Sequence, residues 1–281
     1  TFPAASGGYI ALGNEPNTFS DDHAGLIPEA IIYNGILDTF EKERIYSYLG
    51  VKYGVTLNQN YYSALYDGTN STADSVTLWD LTANATYSND IAGIGREDCQ
   101  ALNQKQSKSV NNDAILTVGL DTIAATNADN PNTFTDDLTF LMWGNDDGST
   151  AASPFVGPCA VGLVDSRVGR IWKFEPTGTV GSTQINADAF TGLDPQFPVY
   201  MIVSDDDAFT TYTSVPMSYD AMTMMHTANY TFDGDTYVTF EGTAPTADDF
   251  CEGNKTIDWR TEGWTRGATS QSVTIGTQMF D

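Results

Sequence analysis

The 281-residue sequence predicts a mainly β protein: a β-sandwich, jelly-roll or immunoglobulin-like, carrying one short α-helix near residues 39–53. Three observations carry that prediction. Short β-type runs recur along the chain and are separated by clusters of Gly, Asn, Asp and Pro, the punctuation of sandwiches rather than of βαβ units. A single stretch, ILDTFEKERIYSYLGVKYGVTL, switches to helical spacing and carries helix start and stop signals. An apolar content of 41% with 12% aromatics can fill a core in a chain of this length, which argues against disorder for most of it.

In chain order, GYIALG (8–13) and AIIYNGIL (30–37) are the first strand-like runs. Asp38 then stands three residues before Glu41 as a capping box. Phe40, Ile45, Tyr48, Leu49 and Tyr53 recur at helical spacing, and Gly54 supplies the stop, so a helix over 39–53 is expected to dock this apolar stripe on neighbouring strands. QNYYSALYDG (59–68) carries a weaker helical signal. Strand-like runs follow at DSVTLWDL (74–81), AILTVGL (114–120), LTFLMWG (138–144), RIWKFEPTG (170–178), VYMIVSD (199–205), TYVTFEG (236–242) and QSVTIGTQMF (271–280). Residues 88–120 gather Arg96, Lys105 and Lys108, three of only 12 basic residues. Within them IAGIGRED lacks the Lys-Ser/Thr and the helix N-terminus that a phosphate cradle needs. It reads as a tight turn between strands, with Arg96 paired to Asp90, Glu97 or Asp98. Arg167 and Arg170 are likewise expected to pair with carboxylates or to stack on Trp172.

No repeat of solenoid or propeller period is present. PNTFSDD (16–22) returns as PNTFTDD (131–137), which reads as shared turn chemistry rather than duplication. A domain boundary is expected at DDGSTAASPFVGP (146–158), dividing a β region with the helix (1–150) from a second β-sandwich region (151–281).

The balance of 37 acidic against 12 basic residues gives a formal charge of −25, which repels phosphate backbones and anionic lipid alike. Nucleic acid is therefore excluded as a partner. No apolar run approaches the roughly 18 residues of a spanning helix, so direct membrane insertion is not expected. Such an acidic surface suits salty or calcium-containing surroundings, where divalent cations bind between clustered carboxylates. Cys99, Cys159 and Cys251 have no metal-type spacing; in an oxidising compartment they make one disulfide and one free thiol, with three pairings possible.

EAIIYNGILDTFEKERIYSYLGVKYGVTL looks like the closing strand and trailing helix of bacterial laminin-G-like (concanavalin A-like) domains. NDIAGIGREDCQALNQKQSKSVN, LMWGNDDGS and RVGRIWKFEPTGTVGSTQI resemble an uncharacterised module that follows such domains in large bacterial surface proteins, adhesins among them. The resemblance implies a secreted or surface-displayed bacterial protein of β-sandwich architecture and carries over no catalytic residues.

Two kinds of candidate site stand out. Asn145, Asp146 and Asp147 in WGNDDGS, and Asp205, Asp206 and Asp207 in VSDDDAF, each follow an apolar strand, so their oxygens sit at strand ends where loops converge. They are the expected calcium ligands, and calcium is the one expected cofactor. Tyr61, Tyr62, Trp259 and Trp264 lie among polar and Gly residues, where rings stack on sugars or peptide side chains. No GxSxG or HExxH motif is present and His23 and His226 are the only histidines, so no catalytic residue is expected. Sequons at Asn70, Asn84, Asn229 and Asn254 matter only in a glycosylating secretory system. The expected function is a non-catalytic, adhesive module on the bacterial cell surface that meets a carbohydrate or peptide on another surface. The alternatives are a structural subunit that pairs with copies of itself in an extracellular filament or surface layer, and a glycoside hydrolase-like enzyme, which needs only two suitably spaced carboxylates.

Overall fold

The computed structural model describes residues 25–63, 75–154, 164–188, 190–193 and 197–244, with the strand backbones at 273–275 and 278–280. The fold is mainly β, with one α-helix among the described residues. That helix, α1 (Thr39–Tyr53), begins and ends where local chemistry dictates. The Glu41 amide donates to Asp38 Oδ1 (2.7 Å) and the Asp38 amide to Glu41 Oε2 (2.8 Å), a reciprocal capping box. Gly54 closes it in the left-handed conformation at φ 64°, and a Cβ there would lie 2.1 Å from the Lys108 carbonyl oxygen.

The docked face of α1 differs from the expected stripe. Arg44, Ser47, Gly50 and Val51 are the buried residues, whereas Phe40, Ile45, Tyr48, Leu49 and Tyr53 are half-buried. Gly50 sets this choice, because the Leu57 and Tyr61 side chains fill the space its Cβ would need. On the outer side, Tyr48 (3.1 Å), Lys52 (2.9 Å) and Tyr53 (3.0 Å) all donate to the Glu29 carboxylate and hold the lead-in segment against the helix. Residues 30–37 are irregular, with a bend at 34–35, and join no ladder among the described residues; Ile32 and Ile36 face outward. The expected second helix starts instead as a strand: β1 (Tyr61–Tyr62) pairs antiparallel with β2 (Thr77–Trp79).

Thirteen strands form one antiparallel sheet. They are β3 (Asn89–Glu97), β4 (Leu102–Gln104), β5 (Gln106–Lys108), β6 (Leu116–Leu120), β7 (Thr139–Asn145), β8 (Ala152–Pro154), β9 (Val164–Val168), β10 (Trp172–Thr177), β11 (Ser182–Asp188), β12 (Val199–Ser204), β13 (Thr213–Asp220), β14 (Met225–Thr231) and β15 (Thr236–Ala244). Their order is β4-β3-β7-β10-β15-β12-β13-β14-β11-β6-β5, with β9 also on β15 and β8 on β9. β16 (Val273–Ile275) and β17 (Gln278–Phe280) make a separate hairpin.

The path begins and ends at β4 and β5, which only Lys105 separates, so the sheet curls into a nearly closed, sandwich-like barrel with two corners. At one corner β13 changes partner, pairing through Thr213–Met217 with β12 and through Ser218–Asp220 with β14. At the other, the Lys105 amide donates to Asn127 Oδ1 (2.6 Å), its carbonyl accepts from the Leu120 amide (2.7 Å), and its Nζ donates to the Asn130 carbonyl. Buried Asn130 ties the same corner to the Leu120 and Thr122 carbonyls. The basic stretch at 88–120 is thus the seam of the barrel.

The sheet separates two apolar cores. The inner one includes Leu141, Trp143, Trp172, Phe174, Ile185, Met201 and Phe240; the outer one packs Val51, Tyr61, Trp79, Tyr87, Phe140 and Met142 beneath α1, β1–β2 and a 3-10 turn at Ala85–Tyr87. Both faces of β7 are therefore covered, which explains why all seven of its residues are buried and why Phe140–Trp143 form a continuous apolar run. The expected turn at IAGIGRED is a correction: only Asp98 lies in a turn, and Ile91–Glu97 belong to β3. Its glycines provide room, because a Cβ on Gly93 would lie 2.3 Å from Met142 Sδ and one on Gly95 2.2 Å from the Phe140 ring. The expected boundary at 146–158 falls between β7 and β9. Strands from either side of it pair directly, as β7 does with β10, and their residues share the inner core.

Candidate functional site

The acidic loops are positioned by a break in a strand. β9 and β10 both pair with β15, and Gly169–Ile171 interrupts them, turning Arg170 into the interior. Its guanidinium donates to the Gly148 carbonyl (2.7 Å), to Asp90 Oδ2 (3.2 Å) and to the backbone and side chain of Asp113 (3.2 and 3.1 Å), with Asp147 Oδ1 at 3.5 Å. Asp90 is equally buried and accepts from Asn145 Nδ2 and Asn111 Nδ2, both at 2.8 Å. A carboxylate out of water requires this kind of partner set. Asp90 (φ 51°) and Asp147 (φ 58°) adopt the left-handed conformation that Asp tolerates better than most residues. Asp146 Oδ1 accepts from the amides of Gly148 and Ile171, both at 2.9 Å. Asn145, Asp146 and Asp147 are thus each engaged inside the chain.

The second loop is built differently. Asp206 accepts from the Thr210 hydroxyl (2.6 Å) and amide (3.2 Å), which lower its pKa below the usual carboxylate value. Asp205 and Asp207 are exposed. Asp207 Oδ2 accepts from the Tyr87 hydroxyl at 3.3 Å. Burial first, then the negative charge of Asp207, raises the Tyr87 pKa, and Asp146 adds to the effect. Both acidic loops therefore lie at one end of the barrel, beside Tyr87. Among the described residues, no three His, Cys, Asp or Glu side chains are gathered tightly enough to hold a metal ion.

The aromatic candidates divide. Tyr61 is wholly buried, its hydroxyl donating to the Val55 carbonyl (3.0 Å) and accepting from the Leu57 amide (2.8 Å), so its ring belongs to the outer core. Tyr62 is half-buried, edge-on to Phe40 at 5.2 Å. Trp259 and Trp264 lie outside the described residues, as do Cys159, Cys251 and His23; Cys99 is exposed and makes no disulfide among the described residues. Asn84 is buried, which closes that sequon to glycosylation.

The arginines pair as expected. Arg96 makes two 2.8 Å bonds to Asp98, and Arg167 bonds Glu241 (3.1 and 2.8 Å) while lying over the rings of Phe209 (5.5 Å) and Tyr212 (5.6 Å). Sequence reasoning does not single out Tyr212, yet its half-exposed ring beside an ion pair is the kind of surface that packs on a sugar ring while polar neighbours meet the hydroxyls. It likewise passes over Lys173, although the alternation Trp172-Lys173-Phe174-Glu175 places a cation and an acid together on the outer face of a central strand. A cleft of about 190 Å³ lies between α1 and the turn at Cys99, lined by Tyr33, Leu37, Arg44 and Ile45 among others, below the roughly 300–1,000 Å³ of small-molecule sites.

No curated protein and no solved structure matches the chain. The model of a family described as a domain of unknown function, DUF8202, matches residues 41–237, from the first turn of α1 into β15; this is more than half of the chain, and the protein belongs to that family.

Proposed function

We propose that the protein is a non-catalytic module of an extracellular bacterial surface protein that adheres to a carbohydrate or peptide, with calcium bound at the acidic loop end. The observation that carries this reading is how the chain deploys its reactive side chains. The buried charges Arg170 and Asp90 are held in an ion pair with each other, and His226 is packed between Phe190 and Tyr219. What faces solvent at the loops is a set of exposed carboxylates, Asp147, Asp205 and Asp207, together with the Tyr212 ring. Those groups suit recognition and cation binding rather than bond breaking. A filament subunit would need long free edges, whereas the path of the large sheet ends in three-residue strands that adjoin at Lys105.

Size-exclusion chromatography with light scattering and thermal unfolding, each in millimolar calcium and in EDTA, followed by glycan and peptide array binding, tests the proposal. The expected result is a monomer in both buffers, a higher melting temperature in calcium, and saturable binding to one ligand class. The Asp205→Asn/Asp207→Asn variant is expected to lose the calcium shift. Polymers in either buffer would support the filament alternative, a calcium-indifferent melting temperature would remove the metal, and turnover of an array glycan would overturn the non-catalytic reading.

A further inference from the structure

The outer core contains a pair of side chains poised for a covalent reaction. Asn84 ends a tight turn in which its amide donates to the Asp80 carbonyl (2.9 Å) and its own carbonyl accepts from the Tyr87 amide (2.8 Å). With the backbone so engaged, the Asn84 side chain points inward and the residue is 1% exposed. Lys173, the second residue of β10, reaches it from the sheet: Nζ donates to Asn84 Oδ1 at 2.7 Å and to Glu175 Oε1 at 2.5 Å, with Asp235 Oδ2 at 3.2 Å. A carbonyl bond of about 1.2 Å places Asn84 Cγ no more than roughly 4 Å from Nζ, close to the separation of a reactive pair. The Tyr87 and Tyr237 rings stand against each other at 5.4 Å, and Nζ is 6.0 Å from the Tyr237 centroid, so an aromatic wall stands beside the pair.

A second observation is independent of that contact. Asn84 Nδ2 is buried without a hydrogen-bond partner among the described residues, an arrangement that costs free energy. Rotating the amide would give no relief. It would aim Nδ2 at an ammonium, which can only donate, so Lys173 fixes which atom is the oxygen. Asn84 Oδ1, Glu175 and Asp235 together meet the three donors of the Lys173 ammonium, but that role uses only the oxygen of the asparagine and gives no account of its buried Nδ2.

We propose that Lys173 and Asn84 condense into an intramolecular amide cross-link, with Glu175 as the catalytic carboxylate. Glu175 takes a proton from the Lys173 ammonium, and the freed amine attacks Asn84 Cγ, forming the new C–N bond. Collapse of the tetrahedral adduct breaks the bond from Cγ to Nδ2. Two of the three Lys173 ammonium protons depart on that nitrogen as an ammonium ion, one of them by way of Glu175. An ammonium and a primary amide thus give a secondary amide and an ammonium ion, and nothing is oxidised or reduced. The unpartnered Nδ2 disappears in the product, and the cover formed by residues 80–87 becomes covalently joined to the central sheet.

Intact-mass spectrometry on the denatured full chain tests this directly, with tandem mass spectrometry of a digest to locate the bond. The expected result is a mass lower than that of the sequence by one ammonia, together with a branched peptide joining residues 84 and 173. In Lys173→Met and in the isosteric Glu175→Gln variant, the full mass is expected to return. A wild-type chain at its full sequence mass would sink the proposal without recourse to any variant. So would loss of a water, which marks an amide between Lys173 and a carboxylate, or loss of ammonia with no branched peptide, which marks a succinimide at asparagine. Retention of the cross-link in Glu175→Gln would overturn the role assigned to Glu175.

Discussion

Replacing Arg170 with Met keeps much of the side-chain volume and removes the cation, leaving the Asp90 carboxylate with only two amide donors. Both side chains of the pair are almost wholly buried, at 6% and 5% exposure. Removing one member of such a pair costs about 3–5 kcal/mol, because the remaining charge stays out of water without compensation. The other two carboxylates around Arg170, Asp113 and Asp147, are 57% and 67% exposed. Water takes them back readily, and each contributes at most about 1 kcal/mol. A melting-temperature loss of roughly 2–4 °C per kcal/mol turns the expected destabilisation into about 6–20 °C. Urea unfolding followed by tryptophan fluorescence should give the same free energy from the midpoint, with the slope unchanged. Adding Asp90→Asn to Arg170→Met removes the stranded charge and should recover part of the loss, a coupling of roughly 1–3 kcal/mol. A cost below about 1 kcal/mol for Arg170→Met, or strict additivity in the double variant, would refute the idea that this buried pair anchors the loop end.

Three further outcomes are expected. Burial holds His226 below its ordinary pKa of 6.5, so the folded chain resists a proton that the unfolded chain accepts. Stability from this site is therefore present above about pH 6.5 and is lost as the pH falls below it; His226→Phe should show a shallower loss between pH 7 and 5.5 in urea titrations. Gly95→Ala should cost about 1–3 kcal/mol, because the new methyl meets the Phe140 ring at 2.2 Å, and a shifted urea midpoint would report it. Asp38→Ala removes one half of the capping box of α1 and should cost about 1 kcal/mol, read from the melting temperature.

What could be read from the sequence follows from the range of the interaction that decides each element. α1 was fully legible because Asp38, Glu41 and Gly54 act within the helix itself. Its docked face was not, since the choice of Ser47, Gly50 and Val51 over the larger apolar residues depends on Leu57 and Tyr61 filling the space at Gly50. The strand-like runs at 114–120, 138–144, 170–178, 199–205 and 236–242 all lie in the large sheet, as alternation or continuous apolarity implies. IAGIGRED reads as a turn because Gly is locally a turn residue; the need for Gly93 and Gly95 arises across the ladder, in Met142 and Phe140. The acidic motif around Asn145–Asp147 was visible as a cluster of oxygens. Its commitment to Arg170 was hidden, because it depends on the long-range β7–β10 ladder together with the break between β9 and β10.

The seam at Lys105 also determines when the barrel can form. β15, the last strand of the large sheet in the chain, lies between β10 and β12 in the middle of its order, so the sheet cannot be completed by adding strands as they are synthesised. Pairings of such long range place the domain among slow folders, on the millisecond-to-second scale or beyond, and until β15 arrives the apolar run of β7, Phe140–Trp143, lacks part of its cover. A growing chain in that state would associate with its copies through the same strand. The acidity of the sequence, formally −25 over all 281 residues, opposes that encounter and keeps the molecule apart from its neighbours while the barrel assembles.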